Sequence, residues 1–122
     1  MKEKIENVNM KSSHFINVNL SMSKFEDINL SDTIFHNINF SKVSFTAAQM
    51  GDAKFRHIGL PDSLRDKEKQ KGISFEECDL NDTVFTECNL ENAKIKKCKI
   101  SGMTINGYSV EELINFYNKK PL

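Results

Sequence analysis

The sequence lacks net charge: its 17 basic and 17 acidic side chains cancel, and the pI is about 6.8. That balance argues against a strongly basic nucleic-acid binder and against a uniformly acidic polyanion mimic. It is poor in glycine and proline, with 5 and 2 in 122 residues, too few for a fold built from loops. Its hydrophobic fraction of 39% is too high for plain disorder. No apolar run approaches the roughly 18 residues that would suggest a membrane span. The amino end, Met1-Lys2-Glu3-Lys4-Ile5-Glu6, carries no apolar stretch of the kind found in secretory signals. The expectation is a single cytoplasmic domain with no membrane association. Cysteine is scarce too: the three, Cys78, Cys88 and Cys98, are an odd number, which argues against a closed disulfide framework. Their ten-residue spacing fits no zinc pattern. They read as reduced thiols in small inward slots, with a Cys78–Cys98 contact as the alternative.

What the sequence does have is a period. Every fifth residue from Ile5 is large and apolar: Ile5, Met10, Phe15, Leu20, Phe25, Leu30, Phe35, Phe40, Phe45, Met50, Phe55 and Leu60. The series fails at Arg65 and Gln70, then resumes as Phe75, Leu80, Phe85, Leu90, Ile95, Ile100 and Ile105. Nineteen residues keep this register, among them eight of the nine phenylalanines. A second register two residues earlier is mostly small or β-branched, as in Val18, Ser23, Ile28, Thr33, Cys78, Thr83 and Cys88. Between the two registers, every second repeat carries an amide or acid: Asn9, Asn19, Asn29, Asn39, Asp79 and Asn89. Phenylalanine dominates alternate repeats, which adds a ten-residue period.

A period of five suits neither common element. A helix would spread such positions around its circumference, and a strand would place them on alternate faces. The pattern requires a chain that turns once every five residues and directs the fifth residue inward each time. Four turns then close a square coil of about twenty residues. Stacked coils would pair their walls at roughly 4.8 Å.

Stretches such as Val18-Asn19-Leu20-Ser21, Ile28-Asn29-Leu30-Ser31, Ile38-Asn39-Phe40-Ser41, Cys78-Asp79-Leu80 and Cys88-Asn89-Leu90 resemble the pentapeptide-repeat family. The resemblance runs over residues 3–107 with one interruption. It implies an all-β fold, a right-handed quadrilateral β-helix of about 4.75 coils. Residues 1–108 are expected to form this solenoid and residues 109–122 a carboxyl-terminal helix and tail.

The interruption, 61–72, is bounded by Pro61 and Gly72 and is dominated by charge. It inserts about ten residues and leaves the alternation of phenylalanine and leucine in phase. It should therefore project from a corner, either as a tolerated surface insertion or as a partner-contact loop using Arg65 and Lys67. Family members of the quinolone-resistance (Qnr) type carry such loops. At the carboxyl end, Ser109-Val110-Glu111-Glu112 is a capping box, and Val110, Leu113, Ile114 and Tyr117 follow helical spacing. Lys119 and Lys120 suit the negative end of a helix over about 110–118, and Pro121 should end it. Those four apolar residues either cap the open end of the solenoid or dimerise the chain. Resemblance to family members that pair through their carboxyl ends implies the latter.

Assigning outward residues to walls separates the charges. Glu6, Glu26, Asp27, Glu76 and Glu77 share one wall, and Asp32, Asp52, Asp79 and Asp82 the next. Lys42, Lys54, Arg56, His36 and His57 face the other way. An acidic column of Asp32, Asp52 and Asp82 keeps the rod soluble, or it mimics DNA phosphates. Resemblance to Qnr and MfpA-like proteins implies the second role, with a type II topoisomerase, DNA gyrase, as partner. His14, His36 and His57 have no neighbouring nucleophile and no metal-ligand spacing. No catalytic residue, metal or cofactor is expected. The expected function is a non-catalytic protein-interaction module that binds a protein and not nucleic acid. Its contacts would be Asp32, Asp52, Asp82, Glu26, Asp27, Glu76, Glu77, Arg65 and Lys67.

Overall fold

The computed structural model describes residues 3–119. Met1, Lys2, Lys120, Pro121 and Leu122, which the expected solenoid and tail include, lie outside the described residues. The chain divides into two units, Met1–Arg56 and His57–Leu122.

In both units the backbone changes direction every five residues. Each change is marked by one residue in the left-handed region. The series starts at Asn7 (φ 56°) and Ser12 (φ 66°), runs in steps of five to His57 (φ 56°), and resumes from Glu77 (φ 52°) to Gly102 (φ 77°). Left-handed φ is costly for most side chains and least so for glycine, asparagine and aspartate. Half of the sixteen non-glycine corner residues are Asn or Asp, among them Asn17, Asp27, Asn37 and Asn92.

The corners alternate between two kinds. At the first, the residue just past the corner donates its backbone N–H to the apolar register residue three before it. Examples are Ser13 to Met10 (3.1 Å), Thr33 to Leu30 (3.2 Å) and Ala93 to Leu90 (2.9 Å). With φ positive at the third position, these are type II turns. Here the amides of every second repeat find their role. Asn9, Asn19, Asn29 and Asn39 each accept, through Oδ1, the backbone N–H two residues on, at 2.9 Å. Asp79 and Asn89 do the same at 3.2 and 3.0 Å. The side chain thus closes an Asx turn just ahead of the corner. At the second kind, at Asn7, Asn17, Asp27 and their equivalents, no such backbone bond forms among the described residues. The ten-residue period is this alternation.

One prediction arises directly. Asn29 Oδ1 takes both the N–H and the hydroxyl of Ser31, at 2.9 and 2.7 Å. Asn29→Ala should lower unfolding free energy by about 1 kcal/mol in urea denaturation. Unchanged stability would mean that these bonds merely replace water.

The expected parallel ladder between coils is not formed. Within each unit, Cα atoms twelve or more positions apart stay beyond 8 Å among the described residues. Phe25 and Phe45 therefore do not lie over one another, contrary to the expected stacking at roughly 4.8 Å. Among the described residues the bonds of the repeats are local and define alternate corners, and none fixes the rise from one coil to the next. Aromatic contacts follow the chain instead. Phe40 meets Phe35 edge-on, with ring centroids 5.4 Å apart, and Phe45 at 6.0 Å. Most residues of the apolar register stay about half exposed, from Phe40 at 42% to Ile5 at 67%, while Leu60 and Ile100 are better covered. The chain exposes 14215 Å², against roughly 6,700 Å² for a compact 14.0 kDa monomer.

The last part of the second unit is the best covered. A two-stranded antiparallel hairpin pairs β1 (Thr104–Ile105) with β2 (Tyr108–Ser109). Its turn is Asn106-Gly107, with φ of 50° and 82°, the sign that a type I′ turn needs at both central residues. The sequence reading missed it. Ile105 continued the five-residue series and drew attention from the Asn-Gly signal beside it. The helix α1 (Val110–Lys119) follows at once, where a helix over about 110–118 was expected. Ser109 caps it: its Oγ accepts the N–H of Glu112 at 3.2 Å. Val110 N–H donates to Met103 O at 3.1 Å, which ties the helix start to the residue just before β1.

Candidate partner-binding surface

The corner geometry explains much of the acidic pattern before any partner is invoked. Asp32, Asp52 and Asp82 hold the left-handed position of type II turns, with φ of 60°, 62° and 59°. Asp27 and Glu77 occupy the other kind of corner, at φ 54° and 52°. Aspartate at these sites is a conformational choice as much as an electrostatic one. The structure does not gather the expected column: Asp32 and Asp52 lie more than 8 Å apart at Cα. Among the described residues, none of the three aspartates makes an ion pair.

The wall carrying Glu6 and Glu26 is charge-paired. Lys4 Nζ lies 2.9 Å from Glu6, and Lys24 Nζ 2.5 Å from Glu26. Residues two apart on an extended wall point the same way, so this spacing brings them together. Hydrogen bonding to Lys24 lowers the Glu26 pKa, and the same bond raises that of Lys24. Both groups are solvated, so the pair shapes local potential more than stability. Glu76 has a serine in the matching place: Ser74 Oγ donates to it at 3.5 Å. Sequence reasoning counted the glutamates as a stripe and overlooked their partners, although Lys-x-Glu was readable at both places.

The inserted segment has its own order. Leu64 N–H donates to Pro61 O at 2.9 Å, and Glu68 N–H to Leu64 O at 2.9 Å, so the segment opens with a helical turn. Leu60 and Leu64 are half-buried. Arg65 Nε donates to Leu60 O and lies 3.3 Å from Asp62 Oδ1, so this guanidinium is tied down within its own loop. Lys67 makes no ion pair among the described residues and is the freer cation of the expected two.

At the carboxyl end, Val110 and Ile114 line a concavity of about 250 Å³ with Ile95, Ile100, Met103 and Ile105. Helix α1 thus directs these two residues at the final repeats. Leu113 and Tyr117, expected on the same face, do not line it, and they stand 51% and 78% exposed. Phe116, absent from the expected set, is 75% exposed beside them. The helix therefore carries an inward pair and an outward apolar group, which the helical spacing alone did not separate.

No group of His, Cys, Asp or Glu among the described residues is arranged to hold a metal ion. Among them, no helix is long and apolar enough to cross a membrane.

Comparison with known families agrees with this corner pattern. A family model described as a pentapeptide repeat region matches residues 8–64, and one described as pentapeptide repeats (8 copies) matches residues 71–102. The gap between the matches falls within the charged insertion. No curated protein and no solved structure matches the chain.

Proposed function

The chain belongs to the pentapeptide-repeat family, and from that premise we propose that it is a non-catalytic protein-interaction module whose walls close into a stacked solenoid. The family's repeat implies a β-helix solenoid, and its members are generally structural or interaction proteins. The observation that carries the proposal is the unbroken series of corners from Asn7 to His57 and from Glu77 to Gly102. Four corners bring the chain through one circuit, so coils of twenty residues in a right-handed winding would number about 4.75. Closing them would withdraw about half of the exposed surface from water, which is the dominant driving force available to this chain.

In that form the outward positions make flat walls, and residues 61–72 project from one corner as the most distinctive contact. Within that segment, Lys67 is the better candidate anchor and Arg65 the better loop brace. Deleting residues 62–71 should abolish capture of the protein partner in a pull-down while leaving cooperative unfolding intact. Capture that survives the deletion would move the contact to the walls. The outward residues of α1, Leu113, Phe116 and Tyr117, support homodimerisation, and a monomeric wild type on a sizing column would refute it.

The topoisomerase reading needs Glu26, Asp27, Asp32, Asp52, Glu76, Glu77 and Asp82 to act as phosphate mimics. The Lys4–Glu6 and Lys24–Glu26 pairs and the conformational role of the aspartates weigh against it. An effect on gyrase supercoiling, lost on changing Asp32, Asp52 and Asp82 to Asn, would restore it.

A further inference from the structure

The three thiols are held alike. Cys78 Sγ donates to Glu76 O at 3.3 Å, Cys88 to Thr86 O at 3.4 Å and Cys98 to Lys96 O at 3.2 Å. Each side chain therefore leaves its wall in the same direction. Corners at Asp82, Glu87, Asn92 and Lys97 separate Cys78 from Cys98, which is one circuit. Only Asp82 and Glu87 separate Cys78 from Cys88, which places Cys88 on the opposite wall. In the structure, Cys78 and Cys98 are more than 8 Å apart at Cα, further than a disulfide spans. Stacking at roughly 4.8 Å would bring them within the usual disulfide range of about 4.4–6.8 Å.

We propose that Cys78 and Cys98 form a reversible redox latch across the last two coils, an inference that rests on the stacked solenoid proposed above. The oxidant is a small disulfide such as glutathione disulfide. One cysteine thiolate attacks a sulfur of that disulfide and expels one glutathione thiolate. The second cysteine thiolate attacks the resulting mixed disulfide at the protein sulfur and expels the second. Two electrons pass from the cysteines to the glutathione disulfide, and both thiol protons end on the released glutathiones. The bond closes the segment 78–98 into a ring and clamps it beneath the hairpin and α1. Excess glutathione reverses it.

The test uses the full chain, reduced, and a Cys88→Ser variant, which removes the thiol of the opposite wall. Each is equilibrated with glutathione disulfide and mapped by peptide mass, and separately treated with dibromobimane, a short thiol-to-thiol crosslinker. The expected result is a Cys78–Cys98 disulfide in both proteins, and a Tm on the order of 10 °C higher than in the reduced form. Dibromobimane linking Cys78 to Cys98 without any disulfide forming would uphold the stacked coils and overturn the latch. Failure of both reagents would overturn the stacking and the latch with it. Bonds mainly to Cys88, or between chains, would also overturn the latch.

Discussion

Phe40→Ala is expected to lower unfolding free energy by about 3–5 kcal/mol, and with it to remove most of the cooperative transition in urea. Phe40 sits in the middle of the longer uninterrupted run of repeats and touches aromatic rings on both sides, at 5.4 and 6.0 Å. At 42% it is also the least exposed of the register phenylalanines. Once coils close over it, its removal leaves a void that rigid walls cannot fill. A domain of this size has about 5–15 kcal/mol in total, so the loss is a large share. If the coils stayed apart, the substitution would cost only its two aromatic contacts, about 0.5–1.5 kcal/mol each. Circular dichroism during urea titration separates the two outcomes.

Asp32→Pro is the second large effect. Proline fixes φ near −65°, whereas Asp32 sits at φ 60° in the third position of its turn. The corner cannot form, and every wall after it loses its heading. The expected loss is at least about 3 kcal/mol. Asp32→Asn is the matched control, because asparagine tolerates the same φ while removing the charge. Its stability should stay within about 0.5 kcal/mol of the parent. A large loss in Asp32→Asn would show that the carboxylate itself holds the fold.

These two positions also show which parts of the structure could be read from the sequence. The corners could, because each is made by residues within five positions of one another. The apolar register and the small slots mark them directly. So could the helix: Ser109 and Glu112 announce its start three residues apart. The purpose of Asn9, Asn19, Asn29 and Asn39 could not be read from spacing, since it lies in a bond to a backbone N–H two residues on. The hairpin at Asn106-Gly107 was hidden by Ile105, which satisfies two patterns at once. Reading the acidic stripe by sign and wall leaves open what stands two residues away. Lys4 and Lys24 answer that question. The rise between coils is a different matter. It depends on pairing between residues twenty apart, and no local signal specifies it.

Amide hydrogen exchange, resolved by residue, tests that pairing most directly. Outside the insertion, hairpin and helix, the bonds in hand protect amides at the corners, such as those of Ser21, Ser23, Ser31, Thr33, Ser41 and Val43. Stacked coils add a ladder along the walls. The account predicts slow exchange at wall amides throughout the inner coils, between residues 23 and 58, with opening free energies near the global value. Protection confined to the corner amides, with the walls between them exchanging freely, would contradict it.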